Sequence, residues 1–263
     1  MPDTISIAKH RLLFMTRKIF CTFILSLCTI MGHAQQDRTV QNRPYADLRP
    51  LHFGVLLGTH LQDIEFNNVG IQQIINEDGT SNEVLITTDQ DRWDAGLTVG
   101  VLGEFRLNTN FQFRIAPAMY FGNRHLTFHN FSNLDNEGNP TELRQDMKTA
   151  YISTALDLIF AAPRFNNHRP YLMAGINPMI NLNGNNDQYV ALKKYDTFAE
   201  VGVGCDFYLP YFKLRPELKF MFGLTNSYDK KHINSIKDKN MIPYTNSVDK
   251  SRSKMIVLTF YFE

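Results

Sequence analysis

The chain has 263 residues, a formal net charge of +1 and 43% apolar residues. That apolar content excludes disorder, and the absence of a basic excess argues against a nucleic-acid partner. Its mean hydropathy of −0.26 does not exclude a membrane protein, because a membrane barrel shows lipid only every second residue and carries polar loops.

Arg17 and Lys18 precede an apolar run from Ile19 to Met31, and Gly32-His33-Ala34 follows as a small-x-small cleavage site. This is the order of a secretory signal peptide, and the run is too short to span a bilayer as a helix, which takes ~20 residues. Residues 1–34 are therefore read as a signal peptide, with Met1 and Met15 both open as the start. A lipoprotein reading on Cys28 is disfavoured by the bulky Leu27 before it. Residues 35–50 are read as a short periplasmic segment and 51–263 as the folded domain. Cys205 is alone in the exported chain, so no internal disulfide forms.

From residue 51 onward the hydrophobic period is two. The alternation predicts strands over Leu51–Gln62, Trp93–Leu107, Phe111–Arg124, Met147–Phe160, Pro170–Leu182, Thr197–Leu209 and Phe212–Leu224. A closing strand carries Ile256, Leu258, Phe260 and Phe262 on one face. Several reach the ~9–11 residues that a tilted strand needs to cross a bilayer. The connections alternate in length. Asn108-Thr109-Asn110, Pro163 to Arg169 and Pro210-Tyr211 are short; Phe66–Arg92, His129–Asp146, Asn183–Asp196 and Thr225–Arg252 are long and polar. Short periplasmic turns and long outer loops are the rhythm of outer-membrane barrels. Asp78-Gly79 and Glu137-Gly138 read as tight turns at the tips of outer loops.

Alternation alone also fits a soluble sandwich with its apolar face inward. Two features favour a membrane barrel. Gly54, Gly58, Gly96, Gly100, Gly202 and Gly204 share the polar face with charged residues; there they make room for long side chains inside a narrow barrel. Aromatic residues gather near strand ends, at Phe53, Trp93, Phe105, Phe111, Phe121, Tyr171 and Phe212, as interfacial girdles do. The fold class expected is all-β, an eight-stranded antiparallel up-and-down transmembrane β-barrel, located in the cell outer membrane and in contact with its lipid.

The inward face then carries the acids Asp94, Glu104, Asp157, Glu200, Asp206 and Glu217 and the bases Arg106, Arg114, Arg124, Lys213, Arg215 and Lys219. Unpaired buried ions cost several kcal/mol each on a rough scale, so a neutralised ion-pair network is expected to fill the lumen. Eight strands leave space for side chains and none for a water channel. No cofactor, metal or catalytic site is expected. The eight histidines show no metal-ligand spacing, and a rim triad of His125, Ser132 and Asp135 rests on three common residues in a polar loop.

Several stretches resemble the PorT-type barrels: His52-Phe53-Gly54-Val55-Leu56-Leu57-Gly58, the hairpin Ala95 to Phe121, Arg169-Pro170-Tyr171, and the final strand with its terminal Glu263. The most specific run is Asp206 to Phe220, with Tyr208-Leu209-Pro210-Tyr211-Phe212 at its turn. The resemblance spans essentially the whole exported chain; it departs at Ser153-Thr154-Ala155-Leu156-Asp157 and in the outer loops. It implies an outer-membrane component needed for type IX protein secretion, and for gliding motility in some bacteria, with other secretion-system proteins as partners. The alternative is a structural or adhesive barrel whose outer loops bind surface ligands.

Overall fold

The computed structural model describes residues 40–75, 81–183, 188–236 and 239–263. Residues 41–263 form one compact unit. Ten strands are present: β1 Leu51–Asn68, β2 Ile71–Ile75, β3 Ser81–Asp89, β4 Asp94–Arg106, β5 Phe111–Leu134, β6 Pro140–Ala161, β7 His168–Asn181, β8 Tyr195–Tyr208, β9 Lys213–Gly223 and β10 Val248–Phe262. Eight of them, β1 and β4 to β10, pair antiparallel with their neighbours in a closed ring. The ring closes where β10 meets β1, with Thr59 opposite Leu258 and Glu65 opposite Arg252.

Closure leaves no free edge in the ring, and the period of two sends every second side chain outward. The outward set is the apolar one: Phe53 is 70% exposed, Leu97 62% and Leu172 57%. The inward set contains Arg114 and Arg215 at 0%. A soluble sandwich has the opposite polarity, so the choice between the two folds is settled by which face is buried.

The short connections lie at one end of the ring. At the first of them Asn108 Oδ1 accepts from the backbone N–H groups of Asn110 (2.8 Å) and Phe111 (2.7 Å). In the last, the Leu209 N–H donates to the Phe212 carbonyl at 3.0 Å.

The long-loop end is more regular than alternation suggested. The stretch His129–Asp146, expected as loop, is mostly strand: β5 runs to Leu134 and β6 begins at Pro140. Only 135–139 turn, with Gly138 at φ +84°, a left-handed conformation that favours glycine. Phe66–Arg92 holds the end of β1 and the β2–β3 hairpin, and β3 pairs with β5 through Ile86 opposite Asn130. Asp78-Gly79 lies outside the described residues. Thr225–Arg252 contains 3-10 turns, one helical turn at Ile242–Thr245 and the start of β10. These segments were hidden from a period-of-two reading because they pack around a core of their own, in which Ile64, Ile86, Leu126, Phe128 and Val190 are fully buried or nearly so. Burial on both faces erases the alternation.

Candidate functional site

The lumen is the candidate site, and β9 organises it. Lys213, Arg215, Glu217 and Lys219 point inward at alternate positions, so ~6.6 Å of strand separates one charge from the next. Each needs partners from across the barrel at its own level.

At the level of Arg215, the guanidinium pairs with Glu104 of β4 and with Asp206 of β8, the latter at 2.5 Å. Lys213 pairs with the terminal Glu263, which also lies 3.4 Å from Arg215. One level further in, Glu217 is held by three donors. Arg114 Nη2 reaches its oxygens at 2.9 and 2.8 Å, the Tyr171 hydroxyl at 2.7 Å and the Tyr261 hydroxyl at 2.9 Å. Arg114 also pairs with Asp157 at 2.9 Å. At the next level Lys219 lies 3.5 Å from Glu200, which accepts from Asn177 Nδ2 at 3.1 Å. Above these charges Met179, Met221, Met255 and Phe198 are buried together, beside the buried neutral side chains of Gln62, Thr149 and Ser153.

Nine of the residues expected in the charge network thus meet in stacked, ion-paired layers: Glu104, Arg114, Asp157, Glu200, Asp206, Lys213, Arg215, Glu217 and Lys219. The other three do not join them. Arg106 is only half-buried at the short-turn rim, where it donates to the carbonyls of Asn108 and Leu48. Asp94 lies at the far end, where its Oδ2 accepts from the backbone N–H of His125 at 2.9 Å and lies 2.7 Å from that ring's Nδ1. Arg124 is buried but bonds neutral groups, Gln62 Oε1 at 3.0 Å and Ser253 Oγ at 3.1 Å. All three have inward parity; Arg106 and Arg124 have no carboxylate within ion-pair reach at their heights, and Asp94 meets His125 instead of a network base.

Sequence reading missed Glu263, Tyr171, Tyr261 and Arg169. Tyr171, expected in an aromatic girdle, is buried in the lumen at 4% exposure. Parity along β7 and β10 would have placed all four inward, but aromatic rings near strand ends were taken as lipid-facing. Two of the inward glycines make room for large side chains as expected, whereas Gly58 and Gly100 face partner-strand backbone and small side chains. A Cβ at Gly204 would stand 2.3 Å from the Tyr171 hydroxyl oxygen, and one at Gly96 2.3 Å from His60 Nε2.

Residues 42–48 close the short-turn mouth. Asp47 accepts from the Tyr208 hydroxyl and lies 3.5 Å from Arg169 and 4.0 Å from Arg164. Arg164 donates to the carbonyls of Asn42 and Arg43 and stacks 3.6 Å above the Tyr208 ring. The other mouth is covered by the apolar core described above, where the Tyr228 hydroxyl donates to the Thr245 carbonyl at 2.6 Å.

The rim triad does not assemble: His125 is engaged by Asp94, Ser132 Oγ accepts from the Leu85 N–H, and Asp135 caps its own turn. Among the described residues no cluster of three His, Cys, Asp or Glu has metal-binding geometry. No helix among them is long and apolar enough to cross a membrane.

A closed ring of eight strands, apolar outside and filled with paired charge inside, defines a small transmembrane β-barrel of the outer membrane. The model of the outer membrane protein beta-barrel domain family matches residues 33–229, and the chain belongs to that family. No curated protein matches it. Among solved structures it is similar to OprG from Pseudomonas aeruginosa, with 12% identity, 80% of this chain and 93% of that one covered, and a TM-score of 0.44. The neisserial surface protein A (NspA) gives 12%, 81%, 98% and 0.37. Ail of Yersinia pestis, crystallised with sucrose octasulfate, gives 12%, 80%, 96% and 0.33. The protein is an outer-membrane barrel in contact with membrane lipid.

Proposed function

We propose that this barrel serves type IX protein secretion as an accessory of the translocon, assembling or stabilising it, and is not itself the pore. The observation that carries this reading is the filled lumen. Arg114, Arg215, Glu104 and Glu217 are each no more than 1% exposed, and both mouths are covered. A barrel with no open path acts through its surfaces, on other proteins or on lipid. The PorT-type run from Asp206 to Phe220 directs the choice toward secretion, and the short-turn end, taken as periplasmic, presents Tyr211 and Tyr45, 93% and 75% exposed, to a partner.

The test is a clean deletion in the native bacterium, scored by export of cargo bearing the C-terminal signal domain. Cargo is expected to accumulate inside the outer membrane; normal export overturns the proposal. A second reading, surface adhesion, is supported by the β2–β3 and β5–β6 hairpins with Ile71 and Phe131 exposed at 65% and 46%. Exchanging residues 123–147 for an unrelated hairpin separates the two. Loss of adhesion with intact export favours the second.

A further inference from the structure

At the upper border of the apolar belt the outward residues of neighbouring strands are mostly large. Leu61 of β1 faces Ile256 of β10, and Ile152 of β6 faces Ile180 of β7. Between these pairs the belt is interrupted. The outward residues there are Ala95 of β4 and Ala150 of β6, and the missing bulk leaves a depression of about 490 Å³ on the lipid side of the wall. Ala95 and Ala150 form its apolar floor, and the outward side chains of Leu97 and Phe121, paired across β4 and β5, flank it.

The upper border of the depression is polar. Lys148 stands two residues beyond Ala150, opposite Asn123, ~6.6 Å further along the strand. Asn183 Nδ2 donates to the Lys148 carbonyl and closes the same border. The Lys148 side chain is exposed and makes no ion pair among the described residues. A lone ammonium at the level where apolar residues end stands at headgroup height, where anionic lipid attracts lysine. The apolar floor beneath it has the chemistry of an acyl-chain site.

We propose that this depression binds one phosphate-bearing lipid of the outer leaflet, an acyl chain lying over Ala95 and Ala150 and against Leu97 and Phe121, and the phosphate meeting Lys148. The site rests on the orientation that places the long loops outside, and is independent of any part in secretion. It differs from the general lipid contact of a barrel in selecting one headgroup charge at one place on the wall.

The single tryptophan of the chain, Trp93, gives a direct reading, because it lies two residues before Ala95 and is 41% exposed. The full-length folded barrel is reconstituted in phosphatidylcholine vesicles containing either brominated phosphatidic acid or brominated phosphatidylcholine, and quenching of Trp93 is compared. Phosphatidic acid is expected to be preferred about fivefold, the weight of one lysine near an anionic lipid. That preference should vanish in Lys148→Gln and persist in Lys250→Gln. Ala150→Leu, which fills the floor, should weaken quenching by phosphatidic acid while leaving the folded band on a cold gel unchanged. Free inorganic phosphate should not compete. Equal quenching by both lipids, retention of the preference in Lys148→Gln, equal loss in both lysine variants, or displacement by free phosphate would overturn the site.

Discussion

Arg114 on β5 and Glu217 on β9 meet across the lumen, with one guanidinium nitrogen reaching both carboxylate oxygens at 2.9 and 2.8 Å. The pair lies between the walls at full burial, so neither ion has water to fall back on. Removing one partner of a buried pair costs about 3–5 kcal/mol. Arg114→Met is expected to lower barrel stability by about that amount, since it leaves Glu217 and Asp157 uncompensated. Arg114→Met with Glu217→Leu and Asp157→Leu should recover most of the loss. Urea unfolding in lipid, followed by loss of the folded gel band, measures both. A single variant as stable as the parent would show that the charges are solvated.

Gly204 and Tyr171 make a lock of a second kind. A methyl at Gly204 would meet the Tyr171 hydroxyl at 2.3 Å, and that hydroxyl is committed to Glu217. Gly204→Ala is expected to cost about 1–3 kcal/mol, the usual range for overpacking. The Tyr171 ring carbon Cζ lies as close as the hydroxyl, at 2.3 Å, so it is Tyr171→Ala that removes the clash, and in that background the added cost of Gly204→Ala should shrink. A double-mutant cycle on unfolding free energies decides; strict additivity would refute the contact.

The segment 42–48 covers a mouth without being the sole barrier. Behind it stand Arg215, Glu104, Asp206 and the Lys213–Glu263 pair. Deleting residues 41–48 should therefore leave planar-bilayer conductance as low as in the full chain. It should also lower stability, because Asp47 no longer answers Arg169 and Arg164. A steady open pore in either protein would contradict the filled lumen.

Asp135 fixes the tip of the β5–β6 hairpin. Its carboxylate accepts from the Asn139 N–H at 2.8 Å and the Glu137 N–H at 2.9 Å, and these backbone donors hold its pKa below the ordinary 3.8. A depressed folded pKa means that the stabilisation is complete above the unfolded value and fades as pH falls through the folded one. Amide exchange at Glu137 and Asn139 should quicken, relative to intrinsic rates, as the pH drops below about 4. Asp135→Asn should show no such acid dependence.

Much of this architecture is legible in one dimension. Alternation along Phe212 to Leu224 orients that strand without any structure, because side-chain direction in a strand depends only on parity. The same rule places Arg114, Glu104 and Asp157 inward. It fails where burial is two-sided, as at Leu126 and Phe128, and where an aromatic residue fits either environment, as at Tyr171. It is also silent on height, which separates Arg106, Asp94 and Arg124 from the network they were expected to join.

The sequence by itself determined an exported chain, strands with one apolar and one charged face, and a rhythm of short and long connections, because each depends on spacing along the chain. Only the tertiary structure decided which charge meets which. Arg215 and Glu104 are more than a hundred residues apart, and their pairing follows from strand register and ring closure, which no local pattern encodes. The same closure carries the terminal Glu263 to Lys213 and lays residues 42–48 across the mouth. It turns a list of twelve inward charges into layers of paired opposite charge, with three residues left outside.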